Sequence, residues 1–499
     1  MASCWCGVEH EGGHPGAPTA LAGAADRLKM GLVSESSTRT AHLLTRGEAE
    51  LALAAPSEAL TPEIDALRAA LAQEAGGMDA AMAAAFGPRA EEFFVASERT
   101  EAGRRAFLKQ IALVAALAGT GTFGWEEAQA QSTPTGPLEK KKLRIGFIPI
   151  TCATPIIMAK PLDFYSKYGL DVELVKMPSW AAVRDAVIAG ELDASHMLSP
   201  MPLAISLGLG SAKVPIKLAS IENINGQAIT VAKKYLGKVK GPADFKGFKI
   251  GVPFQYSMHN LLLRYYLATG KINPDKDVQI ISVPPPDSVS KLIVGELDAM
   301  LMPDPFNQRA VYQDAGFIHL LTKDLWPGHP CCAFAAQEAW IKQNPNTFRA
   351  VNKAIIDAAL FAHNKVNRKA IAKAIAPKNY LNQPEEVVAA VLTGEFEDGT
   401  GQKRSVPDRI DFAPYPWRSY SGWILTQFER WGYGKNIDIA GTGKSVFLTE
   451  TARDLQKELN YPGVTPPSKD ERVEKLKYDT FNPAEPQKYL AAQIKQYGA

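Results

Sequence analysis

Between residues 143 and 340, apolar residues gather into short runs set between polar turns, and these runs alternate with segments of helical spacing. LRIGFIPI (143–150) reads as a strand leading into a helix. Pro155 suits that helix's start, where a missing N–H costs nothing. VELVKM (172–177) predicts a second strand, followed by a helix over about 181–189. ASHMLS (194–199) and IKLASIENI (216–224) predict a third and fourth. The succession then recurs, with GFKIGVPF and VQIISVPP as strands, a helix over 259–270, another over 288–295, and AMLMPDP (299–305) as a strand. AFAAQEAWI (333–341) reads as a strand returning toward the first half. Helical periodicity dominates from Asn344, over 347–366 and 384–392. The aromatic-rich stretch 414–433 is expected to pack in the core. Residues 463–499 are expected to wrap the surface.

The recurrence is written in the residues themselves. VIAGELDASHML (187–198) matches LIVGELDAMLM (292–302), DVELVKMPSW (171–180) matches DVQIISVPPP (277–286), and LRIG matches FKIG. Three matches in one order, a small domain apart, predict two similar α/β domains, each with a parallel sheet. Ligands bind such sheets at the carboxyl ends of the strands, and two facing domains form a cleft. The first domain is expected over 143–227 plus 341–499, with the C-terminal helices, and the second over 228–340. Chain crossings near Gly226-Gln227 and Phe334–Gln337 are the expected hinges.

The first 142 residues follow another pattern. Residues 1–103 form an extension expected to be helical or disordered. Gly103-Arg104-Arg105-Ala106-Phe107-Leu108-Lys109, the apolar run 111–119 and Ala128-Gln129-Ala130 read as a twin-arginine export signal over 104–130, cleaved after Ala130. Residues 131–142 read as a linker. No Cys follows the apolar run, so a lipid anchor is not expected. Cys4, Cys6, His10 and His14 lie close enough to suggest a metal site, although their spacing matches no zinc pattern. A formal net charge of +2 gives no reason to expect a nucleic-acid partner. Five cysteines, two of them adjacent, are no disulfide framework.

Local motifs for catalysis fail. Gly441-Thr442-Gly443-Lys444-Ser445 ends like a phosphate loop, but Asp438 stands where that loop needs a glycine. No GxSxG or HExxH occurs. The informative positions are the strand-to-helix turns of the two copies. His259 falls opposite Thr154, and Trp180 opposite Pro286. Each lies near a helix N-terminus, which holds small anions readily. His196, inside a strand, is expected to be a buried and hydrogen-bonded histidine.

IGFIPITCATPIIMAK, SWAAVRD, SHMLSPMP, NINGQAI, MHNLLLRYYLATG, VPPPDSV and the DPF and HP segments together resemble the nitrate- and bicarbonate-binding proteins of ABC importers. The resemblance implies a two-domain periplasmic-binding-protein fold of the type II, venus-flytrap kind. It implies a monomer that is no enzyme, needs no cofactor, and delivers a small anion to a permease and ATPase at the inner membrane. It places ligand contacts at Trp180, Gln227 and His259, with Thr154 opposite His259 in the repeat. The family's lysine falls at Cys332, and an acidic residue at Cys331. Without that lysine, a monoanion is expected to need His259 protonated. A sulfonate or pyrimidine binder, a cytosolic nitrate sensor, and a pyrimidine-precursor synthase using iron are the alternatives. Adjacent Cys331 and Cys332 are not expected to reach one ion together.

Overall fold

The computed structural model describes residues 136–498. The extension, the twin-arginine segment and Cys4, Cys6, His10 and His14 lie outside the described residues. In chain order the strands of the two large sheets are β1 (Lys142–Phe147), β2 (Asp171–Lys176), β3 (Ala194–Leu198), β4 (Ile216–Asn225), β5 (Gln227–Ala232), β6 (Lys249–Val252), β7 (Gln279–Ser282), β8 (Ala299–Pro303), β9 (Gly316–Leu321), β10 (Pro330–Gln337) and β11 (Ile410–Asp411). The helices that matter below are α1 (Thr154–Met158), α2 (Trp180–Ile188), α3 (Met258–Thr269), α4 (Pro285–Ile293), α5 (Pro345–His363), α6 (Arg418–Arg430) and α7 (Pro486–Tyr497).

Two sheets organise the fold. One runs β11-β4-β10-β3-β1-β2, and the other β7-β6-β8-β5-β9. They share one plan. β1 pairs in parallel with β2 and β3, as β6 does with β7 and β8. Neither sheet is wholly parallel, contrary to the sequence expectation. β10 is antiparallel to β3 and β4, and β5 to β8 and β9. The reason is connectivity. β5 and β10 each enter directly from the other lobe, with no crossover helix to turn them parallel.

The duplicated GELDA explains itself here. The Asp193 carboxylate accepts the Arg144 N–H at 2.9 Å, and Asp298 accepts that of Lys249 at 3.0 Å. Each aspartate thereby fixes the start of the strand that opens its copy of the repeat, β1 or β6. The leucine of the motif lies where a Cβ on Gly146 or Gly251 would be, 2.5 Å from Leu192 and 2.9 Å from Leu297. Only glycine fits beneath that leucine, so LRIG and FKIG recur with GELDA for packing reasons.

The outgoing crossing is where the sequence places it. Asn225 and Gly226 both take positive φ, at 61° and 76°, turning the chain from β4 into β5. A Cβ at Gly226 would meet Asn223 and Ile410 at 2.9 Å. The return crossing lies elsewhere, between Leu321 and Pro330, and not at Phe334–Gln337. β10 belongs to the first sheet over its whole length, so residues 330–340 go with the first lobe. The two crossings are laced together: Asn225 N–H donates to the His329 carbonyl at 3.0 Å, and Gly328 N–H to the Asn225 side chain at 2.9 Å.

Beside them sits a fully buried ion pair. Arg409 Nε and Nη2 donate to the two Asp304 carboxylate oxygens at 3.0 and 2.9 Å. The Asp304 carbonyl accepts from Thr151 N–H and Thr151 Oγ1, and the Asp304 N–H donates to Gly226. Gly226 N–H donates to the Arg409 carbonyl at 2.8 Å. Both lobes, the crossing and the C-terminal region meet at one node. Breaking such a pair costs about 3–5 kcal/mol, because an unpaired buried charge remains.

One apolar core contains α5 and residues of β1, a second contains β6 and β8, and a third spans the lobes with Trp180, Cys152, Cys331, Met258 and Met302. The aromatic stretch is core, as expected: Trp423 of α6 packs on Trp326, ring centroids 4.9 Å apart. The C-terminal segment does more than wrap. α7 packs on α6, and buried Glu474 accepts from Trp326 Nε1 and Ser419 Oγ. Among the described residues no helix is long and apolar enough to cross a membrane.

Glu222, fully buried on β4, accepts the Ile156 N–H at 3.3 Å. Burial raises its pKa well above 4.5 despite that bond. Folding therefore favours the protonated acid, a contribution complete below pH 4.5 and lost as pH rises toward the folded pKa. Glu222→Gln should gain stability over the parent as pH goes from 5 to 8, by up to about 1.4 kcal/mol per unit. Denaturant titrations across that range check it; a pH-independent difference counts against a protonated Glu222.

Candidate functional site

Trp180 is the first residue of α2, and His259 the second of α3. Both helices start on a serine whose hydroxyl accepts a backbone N–H of the first turn, Ser179 from Ala182 and Ser257 from Asn260. That cap sets where the next side chains project. Gln227 opens β5 immediately after the crossing glycine. All three are buried, with relative exposures of 0–1%.

They share an unusual property. Trp180 Nε1, both amide atoms of Gln227 and both ring nitrogens of His259 have no hydrogen-bond partner in the protein. Burial of a polar group without a partner costs about 1–3 kcal/mol. Buried polar groups left unpaired in this way point to a ligand.

His196 belongs with them, which the sequence did not predict. It is fully buried, as expected, but neither ring nitrogen is hydrogen-bonded. Its ring meets Trp180 edge-on, centroids 5.1 Å apart. Burial holds its pKa near 3, so it stays neutral and offers one N–H and one lone pair. The strand ASHML is buried at every position, and an all-buried strand gives no alternation from which to read a facing residue.

Thr154 is differently engaged. Its hydroxyl donates to the Thr151 carbonyl at 2.6 Å, which leaves only an acceptor. The other histidine nearby, His329, is fully partnered by Thr322 Oγ1 and the Pro330 carbonyl, and burial lowers its pKa to about 4.

Cys331 stands at the middle. Its sulfur lies 3.4 Å from that of Cys152 and 3.7 Å from that of Cys332, and all three thiols are buried. Adjacent residues of a strand should point to opposite faces. Here Pro330 pairs with Ile224 and Cys332 with Asn223, so Cys331 is the extra residue of a β-bulge. The bulge re-aims one side chain, and the two thiols converge, contrary to the sequence expectation. Burial opposes ionisation of Cys331, but hydrogen bonds from Cys152 and Cys332 and the adjoining His259 outweigh it and hold its pKa well below 9.0. Burial first, and then the Cys331 sulfur beside them, push Cys152 and Cys332 well above it. Cys152 comes into this group from the loop after β1, beside Thr151 of the ion-pair node, with its sulfur 4.0 Å from the Gly226 carbonyl.

His196→Phe would keep the edge contact with Trp180 and remove both unpaired nitrogens. Without ligand it should raise stability by about 1 kcal/mol. Thermal melting checks this, and equal or lower stability would mean the nitrogens are satisfied by water.

Three comparisons bear on what binds there. Residues 136–376 match the NMT1-like family. The nitrate/nitrite binding protein NrtA of Nostoc sp. PCC 7120 is 33% identical over 379 residues, 71% of this chain and 86% of the relative. The bicarbonate-binding protein CmpA of Synechococcus elongatus PCC 7942 is 30% identical over 400 residues, 72% and 88% of the two. Longer ATP-binding subunits of nitrate and bicarbonate transport match too, over 47% and 55% of their own lengths. The crystal structure of periplasmic NrtA from Synechocystis PCC 6803 superposes with a TM-score of 0.69 at 29% identity, over 72% of this chain and all of that one. NrtA and CmpA are binding proteins, and the α/β fold described above is that of NrtA. The chain belongs to the family of the nitrate/nitrite-binding protein NrtA and the bicarbonate-binding protein CmpA.

Proposed function

We propose that this protein is the ligand-capturing component of an ABC importer and closes its two lobes around a small oxyanion of the nitrate, nitrite or bicarbonate kind. The carrying observation is the set of buried, unpartnered polar atoms on Trp180, His196, Gln227 and His259, with the rings of Trp180 and His196 in contact. They come from both lobes, two of them at helix N-termini, where partial positive charge favours an anion. Trp180 supplies a wall and one N–H. Gln227, His196 and His259 supply donors, and the Thr154 hydroxyl oxygen can accept from a protonated ligand. The partners are a permease and an ATPase at the inner membrane, and the protein acts as a monomer. Hinged closure at the paired crossings fits this role.

None of these side chains carries a permanent positive charge. His196 is neutral, and Cys332 stands where the family has lysine. A charge-assisted hydrogen bond contributes about 1.5–3 kcal/mol, so Cys332→Lys should raise nitrate affinity about tenfold or more. His259→Ala should abolish binding. Calorimetric titration of both variants and the parent with nitrate, nitrite, bicarbonate and a small sulfonate decides the matter. Sulfonate binding alone would replace the oxyanion reading. Nitrate affinity untouched by both substitutions would end it.

The site of action we assign is the periplasm, reached through the twin-arginine machinery. Arg104-Arg105, the apolar run and Ala128-Gln129-Ala130 support this. Changing both arginines to lysine should leave the precursor in the cytoplasm, as fractionation would read. Undiminished delivery of the double variant would defeat the assignment.

A further inference from the structure

Anion capture gives no role to three buried thiols. Cys152, Cys331 and Cys332 reach one point from two separate segments, the loop after β1 and the bulged start of β10. Their sulfurs all lie within 4.8 Å of one another, with two of the separations at 3.4 and 3.7 Å. A metal–sulfur bond of about 2.3 Å places thiolates about 3.8–4.0 Å apart in tetrahedral or trigonal coordination. The observed spacing is close to that. The cluster is free of carboxylates among the described residues. Three sulfurs from two segments make the donor set.

We infer that Cys152, Cys331 and Cys332 form a binding site for one soft d10 cation, Cu⁺ or Zn²⁺, in the interior between the lobes. Donor type selects the class. Thiolates prefer Cu⁺ and Zn²⁺, and hard cations such as Mg²⁺ and Ca²⁺ need oxygen ligands that this cluster lacks. Three sulfurs suit trigonal Cu⁺, and three sulfurs with a water in the fourth position suit tetrahedral Zn²⁺. Binding replaces thiol protons by the metal and releases them to solvent. The bulge at Cys331 fits this role, since a regular strand would point the two adjacent sulfurs apart. The inference stands apart from the anion reading, because its donors are thiols and its ligand a cation.

The test uses the full chain with Cys4 and Cys6 changed to serine, so that those thiols take no part. The protein is reduced, stripped of metal and handled anaerobically. Competition titrations with chromophoric chelators for Cu⁺ and for Zn²⁺ should show one equivalent of at least one cation bound per chain. Cys152→Ser, Cys331→Ser and Cys332→Ser should each weaken that binding by more than about tenfold, since even groups supporting a ligand matter that much. X-ray absorption of the loaded parent needs no variant, and should show sulfur neighbours at about 2.3 Å. Binding of neither cation, a smaller effect of the substitutions, or a shell of nitrogen and oxygen alone overturns the inference. So does a disulfide between two of these cysteines in protein isolated anaerobically. Nitrate titration of the metal-free protein reads the anion site separately, so either reading can fail without the other.

Discussion

The Arg409–Asp304 pair is the point on which the two lobes depend. With no water to solvate it, each charge needs the other. Its geometry fixes more than the pair. Asp304 ends the third strand of the second lobe and holds Thr151 of the first lobe through its carbonyl. Arg409 holds Gly226, the outgoing crossing. Two site residues are immediate neighbours of these anchors, Cys152 after Thr151 and Gln227 after Gly226. The floor of the site is therefore positioned by a rigid buried contact and not by flexible loops.

Around that node the fold repeats one solution. In each lobe an aspartate ties the third strand to the start of the first, and a leucine fills the space over a glycine. The repeated residues are thus structural, and the candidate site residues at the strand-to-helix turns lie where the copies differ. His259 and Thr154 occupy matching turns, yet one leaves two nitrogens unpaired while the other spends its hydrogen on its own backbone. Duplication supplied the frame, and divergence at the strand-to-helix turns supplied the chemistry.

The site combines two kinds of group that rarely share one place. Unpaired nitrogens suit an anion, and clustered thiols suit a soft cation.

The sequence by itself determined the elements, the duplicated α/β plan, the outgoing crossing at Gly226, and the turns at Trp180 and His259 as site candidates, whereas Gln227 came only from the family resemblance. Local rules sufficed because periodicity, glycine placement and helix capping act over a few residues. Tertiary structure alone decided what depends on distant partners. The antiparallel seating of β5 and β10 follows from which sheet each joins, and the return crossing before Pro330 follows with it. His196 is unpartnered because of what surrounds a strand buried on both faces. The thiol cluster needed a bulge and a residue from a strand-to-helix loop 179 positions away. Neither is visible in the pair of letters at Cys331-Cys332, because a bulge is fixed by the register of the neighbouring strand and not by the bulged residue itself.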